Sequence, residues 1–193
     1  MDLLQELDIF GKNHPHRRIF SERCINFFRK NNGSVQIFQR DFFNDGHFTA
    51  GVLLFNPERT KVLLMQSKKT GTWQQFGGHA DGKKNLREVA LREFEEESGI
   101  SVEKIILDSY IGSVDIHYVP EVVHPKHGFE PEHYHYDINF FGSVSEDTIF
   151  GSNDHDVKDI TWFTFEELTS NIVQISSGMQ TMVDEYFLSL KSG

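Results

Sequence analysis

Residues Gly77 to Ile100 read GGHADGKKNLREVALREFEEESGI, and the rest of the chain is best understood outward from them. The second half of this stretch has the period of a helix. Leu86, Ala90 and Phe94 recur every four residues and form an apolar stripe. Asn85 stands at the N-cap position with Glu88 three residues on, a capping-box pattern, and Gly99 stands where the helix should stop. Glu93, Glu96 and Glu97 fall at i, i+3 and i+4 along the edge of the stripe, while Glu95 points away. Like charges at that spacing weaken a helix, and partial burial raises the cost unless a counter-charge is supplied. Magnesium is a natural counter-charge, because it takes carboxylate and carbonyl oxygens and shares its shell with phosphates. Taken alone, a run of glutamates also reads as a solvated helix face. The loop in front favours the metal: Gly77 and Gly78 carry no side chains, so main-chain groups can approach a ligand closely.

Upstream, the apolar runs Phe48 to Phe55 and Lys61 to Met65 flank the turn Asn56-Pro57-Glu58 and predict a hairpin. Val35 to Phe38 gives a short, mixed strand signal. Met1 to Arg29 predicts helix on both sides of a break at His14-Pro15, ended by the turn Asn31-Asn32-Gly33. Downstream, strands are expected at Ile105 to Asp115, Tyr134 to Val144 and Asp159 to Phe163, with a Pro- and His-rich loop from Val119 to His133. Thr164 with Glu167 opens a helix, and Met179 to Leu190 closes the chain as another. Strands and helices are mixed, which predicts an α/β (α+β) layered fold.

Composition narrows the function. A net charge of -10 argues against a broad electrostatic grip on long nucleic acid or on an anionic membrane. It leaves room for a phosphate-bearing small molecule, because bound cations invert the local field. Cys24 has no partner cysteine, which fits a reducing, cytoplasmic compartment, and it reads as a small apolar helix residue. The N-terminus lacks a basic leader with an apolar core, and no apolar run approaches the roughly 20 residues that span a bilayer.

The same stretch resembles the Nudix box, G-x5-E-x7-R-E-U-x-E-E-x-G-U, where U is a bulky apolar residue. Gly78, Arg92, Glu93, Phe94, Glu96, Glu97, Gly99 and Ile100 occupy matching positions. The likeness extends to GHFTAGVLLFNPERTKVLLMQ with WQQFGGH before the box, and to DVKDITWFTFEEL after it. The resemblance implies an α/β/α sandwich around a central mixed sheet, with residues 1–30 as an N-terminal helical extension and 31–193 as the Nudix hydrolase domain. It also implies a hydrolase that cleaves the diphosphate linkage of a nucleoside diphosphate derivative with Mg2+ or Mn2+. By resemblance Glu93, Glu96 and Glu97 hold the metal with the Gly77 carbonyl, and Arg92 keeps the glutamates in place through ion pairs such as that with Glu96. One of these glutamates, or a carboxylate from a later loop, would activate the attacking water. One position departs from the pattern: Lys84 replaces the first glutamate of the box, with Asp81 and Glu88 as nearby carboxylates that could compensate.

Other residues are expected near the substrate. Gly78 and His79 continue the loop; Trp73, Phe76 and Tyr134 offer aromatic faces for a base, although such side chains more often pack in a core; Glu130 and Glu132 offer the later carboxylate. His133, His135 and Asp137 alternate along a strand with ligand-like spacing for a transition metal, the other reading being histidines that line the cleft or pair in a polar layer. His117, His124 and His127 lie in or near the adjoining loop. Arg18, Arg40, Lys68 and Lys69 could meet phosphates but read first as solvated charge, and His47 carries no assignable role. The extra N-terminal helices could serve a homodimer contact. Beside the hydrolase, two readings stay open: a Nudix-fold binding or regulatory module of weak or no activity, motivated by Lys84, and a diphosphate isomerase, which would need Cys24 in the cleft.

Overall fold

The helix and loop quoted above are carried by a central sheet. The computed structural model describes residues 1–124, 128–151, 155–170 and 172–191. Strand β1 (His47–Phe55) is buried along its whole length. It turns back through Asn56 into β2 (Lys61–Ser67), pairing at Leu54↔Leu63 and Phe55↔Val62. The Asn56 side-chain oxygen accepts from the amides of Thr60 and Lys61, both at 2.8 Å, and so fixes the expected hairpin turn. On its other side β1 runs parallel to β8 (His133–Ser143), from His47↔His135 to Phe55↔Ser143. β8 pairs antiparallel with β5 (Ile106–Val119). Strands β3 (Trp73–Gln74), β4 (Phe76–His79) and β9 (Val157–Thr164) complete a seven-stranded sheet among the described residues. One parallel pair among antiparallel ones makes it the mixed sheet expected.

Alternation along β1 decides which helices cover which face. Phe48, Ala50, Val52 and Leu54 enter a core shared with α1 (Leu3–Asn13), α2 (Arg18–Lys30) and α3 (Leu86–Ser98). Leu53 and Phe55 point the other way, into a core with α4 (Phe165–Thr169) and α5 (Ser177–Lys191). This is a sandwich of helices, sheet and helices. The N-terminal helices are continuous with the first core, where Leu7 and Phe10 of α1 and Cys24 and Phe27 of α2 are buried. Each fully buried large side chain contributes about 1.5–3 kcal/mol, against about 0–1 kcal/mol for an exposed ion pair. Apolar packing therefore holds this extension to the domain. Polar ties fix its direction. Arg87 of α3 donates to Glu6 at 3.2 Å and to the Asp108 carbonyl at 2.9 Å. Arg17 donates to the Val114 carbonyl at 2.8 Å and lies 2.8 Å from Glu185 of α5.

Three local expectations need correction. Val35–Phe38 is a 3-10 turn, not a strand: it packs against β1, whose two flanks are already paired, and Ser34 caps the turn while Ile37 and Phe38 are buried. Asn85 is the N-cap of α3, but its side chain takes no backbone amide and instead donates to Glu88 at 2.7 Å. The loop from Val119 to His133 contains a two-stranded hairpin, β6 (Val122–His124) with β7 (Gly128–Glu130). His127 lies outside the described residues. Gly99 ends α3 as expected, at φ +69° with its amide on the Glu95 carbonyl. No helix among the described residues is long and apolar enough to cross a membrane.

Candidate active site

Where Leu53 and Phe55 give way to His47, Thr49 and Gly51, the α5-side face of the sheet changes from apolar to polar. The register explains the concentration. Thr49 lies beside Asp137 of β8 and His79 of β4, His47 beside His135, and His135 and Asp137 beside His117 and Asp115 of β5. Of these, Thr49, His79, Asp115, His117, His135 and Asp137 line a cavity of about 420 Å³, closed on one side by Ser176, Ser177 and Gly178 at the start of α5. A cavity of that size suits a small ligand. Asp137 accepts from Thr49 Oγ1 at 2.8 Å and from Asn139 Nδ2 at 2.7 Å, and burial pushes its carboxyl above the usual range.

The carboxylate edge of α3 meets this cavity through the glycines. The Gly77 amide donates to Glu97 Oε2 at 3.0 Å, and both glycines line the cavity. Glu93 lies so close above Gly78 that a β-carbon there would stand 2.5 Å from its Oε2. Any larger residue would push the Glu93 carboxylate aside. Burial pushes the Glu93 carboxyl up to about 7, against the pull of Arg92. Arg92 reaches Glu93 at 2.6 Å, Glu96 at 3.2 Å and the His79 carbonyl at 3.0 Å, so one guanidinium ties helix to loop. The expected trio is thus assembled, with Glu93 and Glu97 turned to the glycines and Glu96 more exposed on Arg92. A half-buried carboxylate pair with one guanidinium beside it fits a hard divalent ion.

Lys84 does not face this edge. Its Nζ donates to the Gly33 carbonyl at 2.6 Å and so joins the box loop to the end of the N-terminal helices. Asp81 is 3.8 Å from Arg92, within reach of the cluster, whereas Glu88 is occupied by Asn85.

Several residues named as substrate candidates lie away from this cavity. Phe76 is wholly buried edge-on against Phe94, and Trp73 packs edge-on against Phe163 in the second core, so neither ring lines the cavity. Glu130 is buried and held by Arg40 at 2.9 Å, away from the cavity, which also removes Arg40 as a free cation. Arg18 is likewise paired, to Glu22 on its own helix at 2.8 Å. Tyr134 faces Arg23 outside this cavity, whereas Glu132 accepts from the hydroxyl of Tyr118, which lines it. Cys24 is fully buried and burial pushes its thiol up, so it has neither access nor ionisation for the isomerase reading.

The histidines converge more than their spacing predicted. His133 and His135 come together with His47, and not with Asp137: their ligand atoms lie within 4.8 Å of one another. The rings of His79 and His117 lie 5.2 and 5.1 Å from that of His135. Burial lowers His47 to about 4 and pushes His135 far down, helped there by the imidazoles around it. His117 is raised by its hydrogen bond with Asp115. His47 and Asp115 had no signal in the sequence, because only the cross-strand register brings them here.

Comparison with known proteins agrees with this fold. The NUDIX domain profile matches residues 46–186. A search of curated proteins finds no match. Among solved structures, a C. elegans Ap4A hydrolase binary complex is similar at a TM-score of 0.57 and 14% identity, covering 76% of this chain and 98% of that one. The E. coli dihydroneopterin triphosphate pyrophosphohydrolase is similar at 0.52 and 13%, covering 73% and 94%. The NUDIX domain of Shewanella oneidensis NrtR, complexed with ADP ribose, is similar at 0.50 and 17%, covering 74% and 87%. At these identities the likeness is one of fold.

Proposed function

This chain belongs to the Nudix family, and from that premise we propose that it hydrolyses the diphosphate linkage of a nucleoside diphosphate derivative with Mg2+ or Mn2+ held on α3. The observation that carries the proposal is the pairing of Glu97 with the Gly77 amide beside Glu93 in the Gly78 cradle, at the rim of the polar cavity. Glu93, Glu96 and Glu97 would hold the ion with the Gly77 carbonyl. When bound, such an ion neutralises charge building on the diphosphate and makes a bound water more acidic. The chain's own residues do the rest. Arg92 fixes the glutamates relative to the loop, and Gly78 leaves room for the Glu93 carboxylate. A carboxylate of this edge takes a proton from the attacking water. The water oxygen bonds to phosphorus, the anhydride P–O bond breaks, and two phosphate-bearing products leave.

The Ap4A hydrolase and the ADP-ribose complex among similar folds support a nucleotide-like substrate, and the net charge of -10 disfavours long nucleic acid. The binding-module reading loses much of its motive, because Lys84 is turned away to Gly33. A panel of nucleoside diphosphate derivatives, assayed for phosphate-bearing products with Mg2+, Mn2+ or chelator, tests the proposal. Metal-dependent cleavage of one class is expected, with Glu97→Gln slower by orders of magnitude and unchanged in Tm. No cleavage across the panel, with nucleotide binding retained, would favour the binding module.

A further inference from the structure

The histidines on β1 and β8 are unused by this chemistry, and their geometry is specific. We propose that His47, His133 and His135 bind one transition-metal ion of the zinc class, at a site separate from the glutamates of α3.

The first observation is spacing. All three ligand atoms lie within 4.8 Å of one another, and His133 Nε2 is 3.2 Å from His135 Nε2. Imidazole nitrogens about 2.0–2.1 Å from a tetrahedral zinc stand about 3.3 Å apart. The second is tautomer. His47 Nδ1 lies 3.2 Å from the Phe42 carbonyl, and His133 Nδ1 lies 2.7 Å from the Pro131 carbonyl. A carbonyl only accepts, so both Nδ1 atoms carry the proton and both Nε2 atoms present a bare lone pair. This is the outer-shell support that orients metal-bound histidines. The third is an orphan. His47 Nε2 is buried and has no hydrogen-bond partner among the described residues. Leaving a buried acceptor unpaired is unfavourable. One shared proton would satisfy His133 and His135 but leave His47 bare, whereas one cation satisfies all three nitrogens.

The donor set also selects the ion. Neutral imidazoles suit zinc, nickel, copper or cobalt and compete poorly for magnesium, which wants oxygen. The ligands stand on adjacent central strands, where the His47↔His135 register holds them rigidly. Three protein ligands leave a fourth position. His135 lines the cavity, and so do Asp115 and Asp137, which offset the added charge. A fourth position on the His135 side would open to that cavity, where a water or a phosphate oxygen would complete the shell.

Zn2+ should be titrated into the metal-free full-length chain against a competing chelator, in excess Mg2+, with Co2+ as a visible-absorption probe. One equivalent is expected, with the Co2+ bands of a four-coordinate site. Losing an outer-shell partner costs 10–100-fold in affinity, so His47→Gln or His135→Gln should weaken binding by about 100-fold or more. The Glu93→Gln, Glu97→Gln double variant should keep wild-type Zn2+ affinity. Absence of stoichiometric uptake overturns the proposal, as does uptake that follows the glutamates and survives the histidine substitutions. Should a histidine variant fail to fold, X-ray absorption on the wild-type Zn2+ form decides: about three imidazole nitrogens support the site, and one or none refutes it.

Discussion

Gly78→Ala tests the cradle directly. The added β-carbon would stand 2.5 Å from Glu93 Oε2, 2.7 Å from its Cδ and 3.0 Å from Oε1, whereas ordinary contact begins at 3.4 Å. The carboxylate must therefore retreat by about 0.9 Å. A displacement of about 1 Å in a catalytic constellation costs on the order of 10²-fold, equivalent to about 2.7 kcal/mol of transition-state stabilisation. Gly78 is not among the residues with positive φ, so alanine meets no backbone strain, and Tm should change little. Steady-state kinetics at saturating Mg2+ should show the loss in kcat more than in KM. The same substitution made on Glu93→Gln should cost only a few-fold, because the two changes act through one carboxylate. Wild-type turnover in Gly78→Ala would refute the cradle. A full hundredfold loss persisting in the Glu93→Gln background would show that Gly78 acts on something other than Glu93.

Three further outcomes follow from distances already given. Lys84→Glu removes the donor to the Gly33 carbonyl; the loss should be about 1–2 kcal/mol, a fall of about 3–6 °C in Tm, without gain in kcat. A rise in kcat at unchanged Tm would put position 84 at the metal after all. Because the Glu93 carboxyl is raised to about 7, protons compete with the ion below that pH. Mg2+ affinity by calorimetry should fall about tenfold from pH 8 to pH 6, and a flat profile would contradict the assignment. Glu185→Ala strips the buried end of the Arg17 pair; a loss of about 3 kcal/mol is expected by thermal unfolding, and a Tm within 2 °C of wild type would show the pair to be dispensable.

The fold was largely legible because its strongest signals are local. Helix α3 announces itself through Leu86, Ala90 and Phe94 and stops at Gly99. The hairpin of β1 and β2 announces itself through Asn56. What local sequence does not encode depends on distant partners. Val35 to Phe38 has the composition of a strand, yet strand formation needs an edge, and β1 has none to spare. Trp73 and Phe76 look the same in sequence whether they stack on a ligand or pack edge-on against Phe163 and Phe94. The alternation of His133 and His135 gave half of the histidine cluster; the other half, His47, depends on a parallel register that no local pattern encodes. Lys84 departs from the box pattern in the sequence, but its partner is the Gly33 carbonyl, 51 positions away.

The parallel pairing of β1 with β8 also bears on how the chain is born. Thr49 and Asp137 are joined across 88 positions. At about 5–20 residues per second, the ribosome delivers the second partner roughly 4–18 s after the first. Until then β1, wholly apolar from Val52 to Phe55, has one edge unpaired and open to wrong neighbours. A nascent chain halted before residue 133 would carry the glutamate helix and its glycine loop but no floor to the cavity. Chaperone dependence and aggregation of truncated translation products should therefore concentrate in that interval of synthesis.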